Sequence, residues 1–76
     1  MMPLTSKQRV SVLEKMDPDQ RLETYVSIRN RVDRNLQQDV GYHFSDEYDR
    51  LLDELQDYWT AMTEEERIKA QRQLTR

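Results

Sequence analysis

Residues 45–62, SDEYDRLLDELQDYWTAM, decide the fold of this chain. The apolar residues of this stretch recur at steps of three and four, which at 100° per residue places them on one side of an amphipathic helix. The predicted inward set is Tyr48, Leu51, Leu52, Leu55, Tyr58, Trp59 and Met62. Four aspartates fall on the other side: Asp46, Asp49, Asp53 and Asp57. The stretch therefore predicts a helix over about 46–62 with an apolar inner face and an acidic outer face.

A second long helix is predicted over about 18–40. Asp17 is placed to cap it, Pro18 suits its first position, and Gly41 is expected to stop it. Its predicted inward residues are Leu22, Tyr25, Val26, Val32, Leu36 and Val40. The short link 41–44 should fold the two long helices into an antiparallel hairpin, with Phe44 as a hydrophobic staple before the cap Ser45.

Two shorter helices flank this hairpin. Thr5 with Gln8 and Thr63 with Glu66 have the spacing of capping boxes, which predicts helices over about 6–16 and 64–74. The last helix offers only Ile68, Ala70 and Leu74 for burial, so we expect it to be loosely held. The chain has one Gly and two Pro, and no stretch alternates apolar and polar residues as a β-strand does. The sequence therefore predicts an all-α fold. The expected architecture is a single domain, 1–76, folded as a small three- to four-helix bundle around the hairpin.

Size and composition restrict the function. Hydrophobic and charged residues each make up 36% of 76 residues, so a second subunit is one way to complete so small a core. The chain lacks cysteine, which excludes a disulfide framework and thiolate metal sites. No apolar run has the roughly 18 residues needed to span a bilayer, and the first ten residues lack the apolar segment of a signal peptide. We therefore expect a cytoplasmic protein that does not bind membranes.

Charge is distributed unevenly along the chain. Residues 1–40 carry a net charge of +1, residues 41–66 carry −8, and residues 67–76 carry +4. Either the basic C-terminal segment folds back onto the acidic helix, or two different surfaces face different partners. The sequence leaves both explanations open.

Catalytic ingredients are scarce. His43 is the single histidine, and one histidine cannot form a conventional two-histidine metal site. The serines have no glycine-flanked nucleophile elbow, and the sole glycine has no companion for a phosphate-binding loop. We predict that the chain is not an enzyme and has neither a cofactor nor a metal site.

The main functional hypothesis concerns the acidic outer face of the third helix. Its aspartates repel one another by a few tenths of a kcal/mol per pair, a cost that solubility alone does not require. The hypothesis is a protein-binding module that docks on a basic partner surface, either directly or by mimicking nucleic-acid phosphates. Such a module would be a small adaptor, regulator or inhibitor, of the kind found among bacterial and phage accessory proteins. The predicted contact residues are Asp46, Asp49, Asp53 and Asp57, with Tyr42 and His43 from the link.

Two alternatives remain. The outward face of the second helix carries side chains that read base edges, and its tight Asp-Pro start resembles a helix-turn-helix. The residues of this nucleic-acid face would be Asn30, Arg31, Arg34, Asn35 and Gln38. A pI near 5.1 argues against it. The third reading is a structural subunit or homodimer, with Arg29 and Asp33 meeting a second copy; within one chain these two residues are spaced to form an ion pair.

Overall fold

The computed structural model describes residues 4–74, which form four α-helices and no strand. The helices are α1 (Ser6–Glu14), α2 (Pro18–Gln38), α3 (Asp46–Ala61) and α4 (Glu64–Leu74), and a 3-10 helix (Val40–Phe44) joins α2 to α3. The predicted all-α fold is confirmed. The predicted domain, 1–76, also includes residues 1–3 and 75–76, which lie outside the described residues.

The helices begin at the expected caps. The side chains of Thr5, Asp17 and Ser45 each accept a hydrogen bond from a backbone N–H of the following turn. At α4, the Glu66 N–H donates to Thr63 Oγ1 at 3.3 Å and the Thr63 N–H donates to Glu66 Oε2 at 2.7 Å. This reciprocal pair satisfies two backbone donors that the first turn of a helix leaves without partners.

The end of α2 differs from the prediction. The helix stops at Gln38, because Asp39 takes an extended conformation and its side chain accepts a hydrogen bond from the Gly41 N–H at 2.9 Å. Gly41 lies inside the 3-10 helix and does not have a positive φ, so its predicted role as the stop of α2 is wrong. Val40, predicted to face inward, is 82% exposed. The prediction placed Val40 inward by continuing the α-helical period of α2, but residue 40 belongs to the 3-10 helix, which has a different period.

The predicted antiparallel hairpin is confirmed. Near the start of α2, the Tyr25 ring lies 5.7 Å from the Trp59 ring near the end of α3. Toward the other end, Arg31 Nη2 donates to Glu47 Oε1 at 2.9 Å. The start of one helix therefore packs beside the end of the other.

The four helices form a flat bundle. α1 packs on α3, α3 on α2, and α2 on α4. Four neighbouring helices at spacings of about 8–10 Å span about 30–35 Å, which matches the 35 Å middle dimension of a body measuring 38 × 35 × 15 Å. The radius of gyration is 13.2 Å, against about 11.4 Å for a compact chain of this length. The two central helices are therefore covered on only part of their surface.

The core is small and lies where the hairpin meets α4. Its buried members are Tyr25, Val32, Leu55, Met62 and Ala70. Besides Val40, two predicted inward residues are exposed instead: Leu52 by 39% and Ile68 by 45%. Ile68 faces away from the hairpin because the short side chain of Ala70, not Ile68, lets α4 approach α2 closely.

A buried arginine, which the sequence analysis missed, ties α1 and α4 to α2. Arg21 Nη2 donates to Glu66 Oε1 at 2.6 Å, and Arg21 Nη1 donates to the carbonyl oxygens of Leu13 and Glu14 at 2.9 and 3.2 Å. Burial alone would raise the pKa of the Glu66 carboxyl, but the hydrogen bonds from Arg21 and Thr63 and the Arg21 charge outweigh it and lower that pKa below its usual value. α4 is therefore held by an ion pair as well as by apolar packing.

Candidate interaction surface

The two short helices cover only one half of the hairpin. Arg9 of α1 pairs with Asp57 of α3, and α1 shares shallow pockets with α3 residues between 54 and 60. Glu66 of α4 pairs with Arg21 of α2, and α4 shares shallow pockets with α2 residues between 19 and 33. Both contacts lie toward the start of α2 and the end of α3. We call the opposite half, residues 34–53, the distal end; it comprises the last turn of α2, the 3-10 helix and the first half of α3.

The 3-10 helix presents an apolar knob at the distal end. Val40 and Phe44 are 82% and 81% exposed, and the exposed His43 ring lies 3.9 Å from the Phe44 ring. Ring atom Nδ1 of His43 is 2.7 Å from the Val40 carbonyl oxygen. Because Phe44 is exposed, its predicted role as a hydrophobic staple is wrong. Instead, Val40, His43 and Phe44 form a surface feature, which we call the knob.

Tyr42 does not belong to this surface. Its side chain is buried, and its ring lies edge-on to Tyr48 at 5.9 Å. Its Oη has no hydrogen-bond partner among residues 4–74. The Tyr42 carbonyl oxygen accepts a hydrogen bond from Ser45 Oγ at 2.6 Å, which fixes the turn into α3. Tyr42 therefore holds the knob in place, and of the two predicted link contacts only His43 is accessible.

Three of the four predicted aspartates form an exposed acidic stripe: Asp46, Asp49 and Asp53. None of them has a salt bridge among the described residues. Asp57 is the exception, since it is buried and its Oδ2 lies 2.7 Å from Arg9 Nε. The prediction that Asp57 faces outward is wrong because α3 has a second neighbour, α1, on that side.

Arg67 and Lys69 of α4 make their contacts away from the acidic stripe. Arg67 donates from Nε to the Trp59 carbonyl oxygen at 2.9 Å, and its guanidinium lies 5.4 Å from the centre of the Trp59 ring. Lys69 Nζ lies 3.6 Å from Glu65 Oε1. Both side chains act near the junction of α3 and α4, away from the distal end. The stripe thus keeps its negative charge.

The predicted nucleic-acid face lies on the other edge of the hairpin. Four of its members are exposed and Asn35 is half-buried; the exposed ones are Asn30, Arg31, Arg34 and Gln38. Arg31 is already paired with Glu47 at 2.9 Å. Glu47 therefore lies directly beside this face, and its carboxylate would disfavour a bound polyanion there.

The predicted ion pair within α2 is present. Arg29 Nε lies 3.6 Å from Asp33 Oδ1, and both side chains are about half exposed. The pair lies beside Trp59 and the α4 residue Leu74, which line the same shallow groove. A loose surface pair of this kind contributes about 0.3–0.5 kcal/mol.

Comparison with protein-family models, curated proteins and solved structures finds no match to this chain. The site itself must therefore carry any functional argument. Within residues 4–74, no cluster of three or more histidine or acidic side chains is arranged to hold a metal ion. In the same range, no helix combines the length and the apolar character required to cross a bilayer.

Proposed function

We propose that this chain is a non-catalytic protein-binding module, acting as an adaptor, regulator or inhibitor, and that it docks on a basic partner surface through its distal end. The observation that carries the proposal is the knob beside the acidic stripe. Phe44 is 81% exposed. Asp46 and Asp49 follow it in the first turn of α3, and neither has a salt bridge among the described residues. An exposed aromatic group bordered by charge is typical of the centre and rim of a protein interface.

The knob and the stripe would make different contributions. Covering a phenylalanine side chain contributes about 1.5–3 kcal/mol, which is a substantial part of the roughly 8 kcal/mol of a micromolar complex. The aspartates would mainly raise the association rate and select partners of opposite charge. With Asp57 buried, the acidic stripe is too short for extended phosphate mimicry, which favours direct docking on a basic protein surface.

The test is capture of partners from the source organism by the tagged chain. The variant Asp49→Asn with Asp53→Asn removes two charges from the stripe, and Glu64→Gln with Glu65→Gln removes two exposed charges from α4 as a matched control. We expect the stripe variant to recover about tenfold less partner at about 50 mM salt, and the control to recover as much as the wild type. Equal recovery by both variants would exclude a role for the stripe.

The knob is tested separately with two serine substitutions. Phe44→Ser removes the exposed ring at the distal end, whereas Ile68→Ser removes an exposed aliphatic group from α4. Loss of the partner with Phe44→Ser alone is the expected result. If both variants bind equally well, the partner contacts another surface.

The two alternatives have their own measurements. For the helix-turn-helix reading, a fluorescence titration with duplex DNA at about 50 mM salt should show no binding at micromolar protein. Binding that is lost with Arg34→Ala would favour the nucleic-acid function over ours. A homodimer would sediment with about twice the mass of one chain, and its melting temperature would rise with protein concentration. The same two measurements test the reading as a structural subunit that assembles with further copies.

A further inference from the structure

We propose that the partner inserts a basic amphipathic helix into a groove on one side of the distal end, between α2 and α3. This inference rests on the proposed function, since it specifies what the distal end binds. It goes beyond it by assigning the secondary structure and the charge of the partner segment. The groove is defined by Leu36 and Asp33 on α2 and by Leu52 and Asp49 on α3.

The groove follows from heptad spacing in both central helices. On α2, residues 22, 26, 29, 33 and 36 alternate steps of four and three, and on α3 residues 48, 52, 55, 59 and 62 do the same. Residues seven apart lie on the same side of a helix. Leu36 therefore lies on the same side of α2 as Arg29, one heptad later. Leu52 lies on the same side of α3 as Trp59, one heptad earlier.

In the half away from the distal end, α4 packs on α2 and reaches α3 at Trp59, so that it borders this groove. Arg67 lies over the Trp59 ring at 5.4 Å, and Leu74 lines the same surface as Trp59, Arg29 and Asp33. Ala70, with no exposed area, marks how closely the α4 backbone approaches the hairpin. The α4 side chains that reach this surface thus include one base, Arg67, and one aliphatic group, Leu74.

One heptad further along, the same lines continue beyond α4. Leu52 is 39% exposed although it occupies the position equivalent to Trp59, and Leu36 is only partly buried. Two or three turns of a further helix, about 11–16 Å long, would cover this part of the groove in line with α4. Helices that bind in apolar grooves of a partner do so through apolar side chains at i, i+3, i+4 and i+7, which is a stretch of about two turns.

The charge of the groove selects a basic occupant. Asp33 borders it on α2 and Asp49 borders it on α3, and Asp53 follows one turn later. Arg29 lines the same surface and lies 3.6 Å from Asp33, so it offsets part of the Asp33 charge and the aspartates of α3 supply most of the negative charge. A helix with lysine or arginine on both flanks would meet acids on both sides, whereas an acidic helix would be repelled.

The test uses peptide probes and the intact chain. The first probe has about four helical turns with leucine at i, i+3, i+4 and i+7 and lysine on both flanks; the second replaces each lysine with glutamate. Affinity is measured by fluorescence anisotropy, and the binding site is mapped by amide chemical shifts of the labelled chain. Leu52→Ser alters the groove, and Ile68→Ser is the control on the outer side of α4.

We expect saturable binding of the lysine peptide, with shifts at residues 33–53. Leu52→Ser should weaken it about tenfold, the loss expected for one leucine contact, and Ile68→Ser should not. The inference is overturned if the wild type does not bind the lysine peptide at about 1 mM, if the glutamate peptide binds equally well, or if both variants bind alike. It is also overturned if the wild type is a dimer that Leu52→Ser dissociates, since a second copy then fills the groove.

These outcomes are separable from the proposed function. If the lysine peptide fails but partner capture still requires Phe44 and Asp49, the distal end binds a partner in another way and only the helix assignment is wrong. If capture is independent of both residues, the proposed function fails whatever the peptides do.

Discussion

Replacing Glu66 should destabilise the whole bundle, because its carboxylate is the partner of the buried Arg21. Removing one member of a buried ion pair typically costs 3–5 kcal/mol, and loss of the capping box adds about 1 kcal/mol. The Arg21 guanidinium keeps its bonds to the carbonyl oxygens of Leu13 and Glu14, which offsets part of this cost. We therefore expect Glu66→Ala to lower the free energy of unfolding by about 3 kcal/mol.

This loss is large for so short a chain. At 0.05–0.15 kcal/mol per residue, 76 residues give a total stability of about 4–11 kcal/mol. A change of 3 kcal/mol should lower the melting temperature by about 12–24 °C. The measurement is urea and thermal unfolding at neutral pH, followed by the far-ultraviolet circular dichroism signal of the helices and analysed as a two-state transition.

The matched control is Glu65→Ala. Glu65 is the preceding residue of the same turn, but it is exposed and its contact with Lys69 spans 3.6 Å, so its removal should cost about 0.5 kcal/mol or less. If the two variants differ by less than about 1 kcal/mol, the Arg21–Glu66 pair does not hold the bundle together, and the explanation given for the docking of α1 and α4 is wrong.

Three further predictions concern the same framework. Folding lowers the pKa of the Glu66 carboxyl. Its stabilising contribution is therefore present above the unfolded pKa of about 4.3 and is lost as pH falls through the folded pKa. The urea midpoint of unfolding should fall more steeply below about pH 4.5 in the wild type than in Glu66→Gln. A double-mutant cycle with Arg9→Met and Asp57→Asn should give a coupling energy of about 1 kcal/mol, because the pair is 2.7 Å long and half-shielded. A value near zero would show that this pair does not help to hold α1 on α3. Ala70→Leu should cost about 1–3 kcal/mol by overpacking a position with no exposed area, whereas the exposed Gln73→Leu should leave the melting temperature unchanged.

The helix starts could be predicted because their signals are local. Thr5, Asp17, Ser45 and Thr63 cap through bonds to backbone groups two or three residues away, so spacing alone locates them. The contact of Arg21 with Glu66 joins residues 45 apart. No local pattern reveals such a pair, and for that reason the expectation of a loosely held α4 overlooked its main polar anchor.

The candidate site could be predicted only in part. The acidic stripe follows from helical periodicity, but periodicity assigned Asp57 to it because the prediction gave α3 a single buried face. Val40 was misplaced because the helical period was extended past Gln38, where Asp39 ends the helix and starts the 3-10 turn. Phe44 was misplaced because its position before the cap Ser45 is typical of a hydrophobic staple, whereas the 3-10 helix leaves its ring exposed. Knowing which half of the hairpin stays uncovered requires the positions of α1 and α4, which sequence spacing does not give.

The central claim is that the distal end contacts a protein partner, and site-specific photo-cross-linking in the source organism tests it most directly. A benzophenone side chain at position 44 replaces the exposed Phe44 ring, and the same group at position 68 replaces the exposed Ile68 on α4. We expect one dominant cross-linked protein from position 44, lost when Asp49 and Asp53 are both changed to asparagine, and no such product from position 68. The same product from both positions, or a product at position 44 that persists without the two carboxylates, would contradict it.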